Sequence, residues 1–136
     1  MAFLPDTLRD EMVQSVFNFF VEYHNLQDMD LLWTVDISLT KEQAMLDSYT
    51  DGSFVVIVPN TKDIHQLATL MAHEFIHAKQ HFERRLIKIG KLVIWENTVM
   101  VETRETIEEY CNQPWEIEAY TGEENDARKC LKAILH

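Results

Sequence analysis

Two histidines and a glutamate near the middle of the chain form a pattern that can bind a metal ion. The segment His73-Glu74-Phe75-Ile76-His77 is an HExxH motif. In a helix, residues four apart lie about one turn apart on the same face, so both imidazoles can reach one cation, with Glu74 beside its open position. A zinc ion with three protein ligands keeps its fourth position for water and lowers the pKa of that water toward about 7. The motif therefore predicts hydrolysis by a zinc-activated water, with Glu74 as the general base.

A third metal ligand has to come from elsewhere, because two histidines alone hold zinc weakly. His81 lies one turn beyond His77, but a straight helix carries it about 12 Å along the axis from His73, too far for all three to share an ion. We therefore expect His81 on the surface. The metzincin class is excluded, since it requires Gly at position 80 and His at position 83, where this chain has Gln80 and Glu83. Three histidines without ligand spacing are expected to be structural or solvent-facing: His24, His65 and His136.

The hydrophobic pattern predicts the elements that position this motif. Asp63, with Gln three residues later, resembles a capping box and predicts a helix that carries the motif to about Leu86. Before it, apolar residues with a 3.6 period predict an N-terminal helix over residues 6–25. Alternation predicts a strand over residues 31–39, and Asp51-Gly52 predicts a hairpin over residues 46–58. Together these strands predict a small, mostly antiparallel sheet.

The second half of the chain predicts a further hairpin and a closing helix. Gly90 ends the motif helix region, residues 91–101 have the pattern of a second small hairpin, and no element is predicted for residues 102–109. Pro114 suits the first position of a last helix, which runs through Ile134 unless Gly122 interrupts it. The predicted fold class is α+β, in a single domain that spans residues 1–136.

The last helix supplies the resemblance to a known family. HExxH on one helix, followed by Glu-x-x-Ala on a later one, resembles the gluzincin-type zinc metallopeptidases. The fuller combination of HEFIHAxQ and PWEIEAY is similar to small zincin-like proteins of bacteria and their phages. The resemblance covers the chain from Phe54 to Tyr120 and implies a zincin-like fold. It implies that His73, His77 and Glu116 bind Zn²⁺, because Glu116 is the glutamate with Ala119 three residues on.

Some assignments remain alternatives. Glu118 is the other possible third ligand, because residues two apart in a helix point in roughly opposite directions and only one can face the ion. Many gluzincins have Asp four residues after the ligand, where this chain has Tyr120. Tyr120 and Tyr110 are candidates to donate a hydrogen bond to a developing oxyanion, or are packed aromatic residues. By analogy with zincins, the strand over residues 54–58 is expected to pair with a peptide substrate.

Tryptophans and cysteines are assigned to packing rather than to chemistry. The side chains of Trp33, Trp95 and Trp115 are expected to pack in the core. Cys111 and Cys130 have no CxxC spacing and are expected to be reduced thiols.

Charge and composition limit the partners. The chain has 12 Lys and Arg against 23 Asp and Glu, a net charge of -11, which repels phosphate backbones and anionic lipids. We therefore expect no nucleic-acid or membrane partner. Because the first residues lack a signal-peptide pattern and no stretch approaches the ~20 apolar residues of a membrane span, the expected location is the cytoplasm.

Three functional hypotheses follow from these patterns. The first is a zinc metallopeptidase that acts on peptide or protein substrates. The alternative is a catalytically silent zincin-fold module that binds or regulates a partner protein through its acidic surface. The third is a metal-free structural protein in which the motif is accidental.

Overall fold

Over residues 6–40 and 42–135, which a computed structural model describes, the chain forms four helices and two three-stranded sheets. The helices are α1 (Asp6–Tyr23), α2 (Ile64–Phe82), α3 (Ile107–Cys111) and α4 (Pro114–Ile134). The strands are β1 (Leu31–Asp36), β2 (Met45–Ser48), β3 (Phe54–Pro59), β4 (Leu86–Ile89), β5 (Leu92–Trp95) and β6 (Thr98–Val101). The α+β prediction is confirmed, whereas the predictions for residues 1–5 and His136 lie outside the described residues. None of the helices described is long and apolar enough to cross a membrane.

The first sheet is mixed, with the strand order β1-β3-β2. β2 and β3 form the predicted antiparallel hairpin, but β1 runs parallel to β3, with Leu31 opposite Phe54. The prediction of a mostly antiparallel sheet is therefore wrong for these strands, since one of the two pairings is parallel. Alternation of apolar residues identifies the buried face of a strand but not its partner. After β1 the chain crosses to the far edge of the sheet before it returns to the centre as β3.

The main core lies between this sheet and the helices α1, α2 and α4. Three rings from two of these helices form its centre, where Phe75 of α2 lies 5.4 Å from both Phe17 and Phe20 of α1, measured between ring centroids. Val56 and Val58 cover them from β3. Full burial of such side chains contributes roughly 1.5–3 kcal/mol each, so this core fixes the position of α2.

The helices α2 and α4 approach closely because α4 has small residues where they meet. Ala119 is fully buried, and a Cβ added at Gly122 would lie 3.0 Å from Cδ1 of Ile76. Gly122 does not interrupt α4, and the predicted course of this helix from Pro114 through Ile134 is confirmed. Because Gly122 has no side chain, α4 can pack directly against Ile76 of α2.

The motif helix ends at Phe82, earlier than the predicted Leu86. Arg84 has a positive φ of 59°, which turns the chain out of the helical path. Leu86 then begins β4, which pairs with β5, and β5 pairs with β6 as the predicted second hairpin. A smaller core links this second sheet to the start of α4, and its buried residues are Leu86, Val93, Trp95 and Trp115.

Candidate metal centre

Side chains from α2 and α4 converge on one point. The Nε2 atom of His73 lies 3.1 Å from Oε1 of Glu116, and the Nε2 atom of His77 lies 3.2 Å from the same oxygen. The two Nε2 atoms are 3.2 Å apart. All three side chains are buried, with Glu116 only 3% exposed. This group can hold a metal ion, because each residue offers one ligand atom within reach of a common point.

The local structure of both helices explains this convergence. Asp63 caps α2 by accepting hydrogen bonds from the backbone N–H groups of His65 and Gln66, which sets the register of the motif. Pro114 occupies the start of α4, where its missing N–H is not needed. Glu116 thus lies in the first turn, where the positive end of the helix dipole favours an ionised carboxylate.

Gln80 fixes the orientation and tautomer of His77. Its Nε2 donates to the carbonyl of Trp115 and to Oε1 of Glu118, at 3.1 Å each, so its Oε1 faces His77 as an acceptor. The Nδ1–H of His77 therefore donates to Gln80 Oε1 across 2.8 Å. As a result, the lone pair of the neutral ring is on Nε2, which points toward Glu116. Gln80 is fully buried.

Glu123 lies on the far side of the other histidine. Its Oε2 is 3.5 Å from Nδ1 of His73, an ion-pair distance without the geometry of a hydrogen bond, while Nε2 of this ring contacts Glu116. Glu123 follows Glu116 on the same face of α4, about two helical turns later.

The charges of the site favour a cation at its centre. Burial acts to lower the pKa of His73, but Glu116 and Glu123 outweigh this effect and raise that pKa. Burial acts to raise the pKa of Glu116, but hydrogen bonding to His73 and His77 lowers it to about 2. Burial raises the pKa of Glu74 to about 7 against the opposing effect of the two histidines. A buried carboxylate that remains ionised needs a positive partner, which is either a proton on the imidazoles or a metal ion.

Glu118 lies away from this centre. Its carboxylate forms a two-pronged ion pair with Arg85, at 2.8 and 2.6 Å, and accepts from Gln80. These hydrogen bonds, the one from Arg85 above all, lower its pKa. The structure thus brings Glu116, and not Glu118, to the histidine pair.

The two tyrosines border the site in different ways. Tyr110 is half-buried, and burial together with the nearby charge of Glu116 raises the pKa of its hydroxyl above the ordinary value. Tyr120 packs its ring against His73, with centroids 4.5 Å apart, and remains 46% exposed. Both hydroxyls stay protonated at neutral pH, since burial also raises the pKa of Tyr120 to about 12.

The prediction that His81 lies on the surface is wrong. It is half-buried, and its ring packs against Phe54 of β3 with centroids 5.0 Å apart. The reason is that the sheet covers this side of α2 beyond the motif. His81 is outside the ligand group, in agreement with the helical geometry.

The remaining predictions for histidine and tryptophan agree with the structure. His24 is buried, with its Nε2 atom 3.6 Å from Oδ2 of Asp126, and His65 is exposed. Trp95 and Trp115 lie in the smaller core, and Trp33 packs against the main one.

A cavity of about 480 Å³ gives access to the centre. The cavity is lined by His73, Glu74, His77 and Glu116, together with both tyrosines and His81.

No protein-family model, curated protein or solved structure matches the chain.

Sequence patterns did not indicate two polar residues, Gln80 and Glu123, that lie against the outer nitrogens of the histidines. Gln80 lies three residues after His77, and Glu123 lies seven after Glu116, which are both spacings for one helical face. Those spacings could have identified them as neighbours of the site. Which nitrogen of each ring they contact depends on how the two helices pack.

Proposed function

We propose that this chain is a zinc-dependent peptidase with a zincin-like arrangement of its catalytic residues. The observation that carries the proposal is the triangle of ligand atoms from His73, His77 and Glu116, with sides of 3.1 to 3.2 Å. Three ligands of one tetrahedral zinc ion are about 3.3 to 3.5 Å apart, given zinc–ligand distances of about 2.0–2.2 Å. Zinc therefore fits after shifts of a few tenths of an ångström, and two histidines with one glutamate form a known ligand set for catalytic zinc.

Glu74 is the residue that we assign to proton transfer. Its side chain is 8% exposed and lines the cavity beside the ligands. A zinc ion held there would supply Lewis acidity that polarises a peptide carbonyl and acidifies water. Glu74 then accepts the proton of the attacking water and delivers it to the leaving amine. Tyr110, half-buried at the cavity wall, can donate a hydrogen bond to the carbonyl oxygen as negative charge develops.

An extended peptide can reach this centre along β2. The strand expected to hold the substrate, β3, is in the middle of its sheet and has both edges paired, so that prediction is wrong. β1 and β2 are the two edge strands of this sheet, and of these two only β2 lines the cavity, through Met45, Leu46 and Asp47. Its free edge can add a peptide as a further strand, which places the peptide beside the metal ligands.

The test of this proposal is cleavage of a mixture of unstructured peptides by the zinc-loaded protein, followed by mass spectrometry. Glu74→Gln keeps the shape of the side chain but removes the base, so we expect cleavage to fall by about 10²–10⁴ while zinc content stays at one ion per chain. Glu124→Gln is the matched control, because Glu124 lies on the exposed side of α4. It should cleave at the wild-type rate.

Two results would contradict the proposal. Undiminished cleavage by Glu74→Gln would remove Glu74 from the mechanism. If the zinc-loaded wild-type protein leaves every peptide intact, the chain is a binding module rather than an enzyme. In that case a partner protein should bind the acidic surface equally well with and without Glu74.

A further inference from the structure

A second groove continues from the metal-site cavity. It has a volume of about 450 Å³, and the two spaces share Leu46, Asp47, His81, Leu86, Lys88 and Arg104 as lining residues. A chain that passes the metal ligands along β2 therefore enters this groove. On one side the groove is lined by β2, and on the other by β4.

Both of these strands have a free edge. β2 ends the order β1-β3-β2, and β4 begins the order β4-β5-β6, so in the described part of the chain each has a neighbour on one side only. The backbone groups on the other side can form hydrogen bonds with an extended peptide. The groove thus suits an extended chain, because the two strands at its walls offer unpaired backbone groups.

The charge of the groove is unusual for this protein. Three of the chain's 12 Lys and Arg line it, namely Arg84, Lys88 and Arg104, against one carboxylate, Asp47. Lys88 and Arg104 share a single partner, Glu102, whose Oε1 lies 3.8 and 2.6 Å from their nitrogens. One carboxylate cannot neutralise two cations, so the groove retains positive charge although the chain has a net charge of -11.

Arg84 stands out among the three. Among the described residues it has no ion-pair partner, and its φ of 59° is a conformation that glycine adopts easily and arginine does not. Glycine is the common residue at this position after a helix. The side chain of Arg84 therefore lines the groove with a charge that no ion pair among the described residues offsets.

The metal-site cavity carries more carboxylates than the groove. Glu42 and Glu123 line it at positions outside the second groove, together with Glu74 and Glu116. A zinc ion held by His73, His77 and Glu116 would offset part of this negative charge, but Glu42 and Glu123, which are not among its ligands, would still repel an acidic part of a substrate. The three cations of the groove attract that part, so the two regions favour one orientation of the chain.

We propose that this cationic groove, formed by Arg84, Lys88 and Arg104 between β2 and β4, binds the acidic part of an extended peptide next to the bond that is cleaved. The group recognised is a carboxylate, which is either an Asp or Glu side chain or a free C-terminus. The inference rests on the proposed peptidase function for the cleavage but not for the binding.

The test measures binding, so that it does not depend on turnover. Zinc-loaded Glu74→Gln protein is titrated into fluorescent ten-residue peptides, read by anisotropy. In one set of peptides, a block of Asp and Glu lies in either the first or the second half. In the matched neutral set, Asn and Gln replace Asp and Glu. Each peptide is made with a free and with an amidated C-terminus. We expect acidic blocks to bind tighter, by roughly two- to fivefold for each ion pair, and the preference to weaken in high salt. If amidation alone removes the preference, the C-terminus is the source of the carboxylate.

Variants in the same background locate the effect. Arg84→Ala should weaken binding of the acidic peptide about two- to fivefold, Arg84→Lys should retain most of it, and the triple Ala variant should abolish the preference. Arg128→Ala is the control, because Arg128 is exposed on α4 and lines neither space. Its affinity should not change.

The outcomes separate the two proposals. Equal affinity for acidic and neutral peptides, or an equal loss in Arg84→Ala and Arg128→Ala, would overturn the cationic groove even if the protein cleaves peptides. Selective binding of acidic peptides by a protein that cleaves nothing would support the groove and overturn the peptidase.

Discussion

Replacing Gln80 by methionine should loosen the metal site without removing a ligand. Methionine has nearly the same length but cannot form the three hydrogen bonds that Gln80 makes to His77, Trp115 and Glu118. Glu118 keeps its ion pair with Arg85. The Nδ1–H of His77 and the carbonyl of Trp115 lose the partner that Gln80 supplies.

Two separate effects follow from this loss. A buried polar group without a partner costs about 1–3 kcal/mol, so two such groups lower the free energy of unfolding by about 2–6 kcal/mol. Domains of this kind are stable by about 5–15 kcal/mol, so the variant can still fold. The His77 ring also loses the acceptor that holds its tautomer, an effect that typically weakens metal binding about 10- to 100-fold.

Competition with a chromophoric chelator measures the second effect, and urea unfolding with and without zinc measures the first. Gln66→Met is the matched control on α2, since Gln66 is half-buried and accepts a single side-chain hydrogen bond, from Thr61. It should leave zinc affinity unchanged. Wild-type zinc affinity in Gln80→Met would refute the argument, because it would mean that His77 needs no support from Gln80.

Further substitutions test the ligand choice, the helix contact and the strained residue. Glu116→Ala should reduce bound zinc well below one ion per chain by elemental analysis, whereas Glu118→Ala should retain it; the reverse pattern would make Glu118 the ligand. Gly122→Leu overpacks the contact with Ile76, so it should lower the free energy of unfolding in urea by about 1–3 kcal/mol and also weaken zinc binding. Unchanged zinc binding would show that this contact does not position the site. Arg84→Gly should raise the free energy of unfolding by about 0.5–1 kcal/mol, because glycine adopts the positive φ of this position without strain. A lower free energy of unfolding would contradict the inference that the backbone at Arg84 is strained.

The local part of the site could be predicted from the sequence because it depends on helix geometry alone. His73 and His77 lie one turn apart in any helix, and Asp63 marks where that helix begins. The same geometry shows that only one of Glu116 and Glu118 can face the ion. Periodicity does not show which of the two faces the ion, because this depends on the side chains that each carboxylate contacts on the neighbouring elements.

The partner of each carboxylate depends on where the motif helix ends, and the predicted end at Leu86 is wrong. With the motif helix extended to Leu86, Arg85 would lie on that helix and β4 would not exist. The helix instead ends at Phe82, and Arg85 reaches Glu118 with both of its terminal nitrogens. A helix-ending signal at Arg84 was missed because arginine rarely takes the positive φ that the structure gives it.

The pairing of the strands could not be read from the sequence for a related reason. The apolar pattern of residues 31–36 and 54–59 describes their buried faces in the same way whether they run parallel or antiparallel. The parallel pairing depends on the long connection through β2, which places β2, and not β3, at the edge. That arrangement decides which strand can bind a peptide.

The turn at Arg84 joins the candidate metal centre to the proposed cationic groove. Directly after it, the backbone N–H of Arg85 donates to the carbonyl of Gln80, and the Arg85 side chain pairs with Glu118, which in turn accepts from Gln80. The same turn starts β4 and directs Lys88 toward the groove. One local conformation thus supports the orientation of His77 through Gln80 and places the cations beside β2. A change that abolishes this turn should therefore weaken both zinc binding and acidic-peptide binding. A change in the Arg84 side chain that keeps the turn should weaken the binding of acidic peptides and leave zinc affinity unchanged.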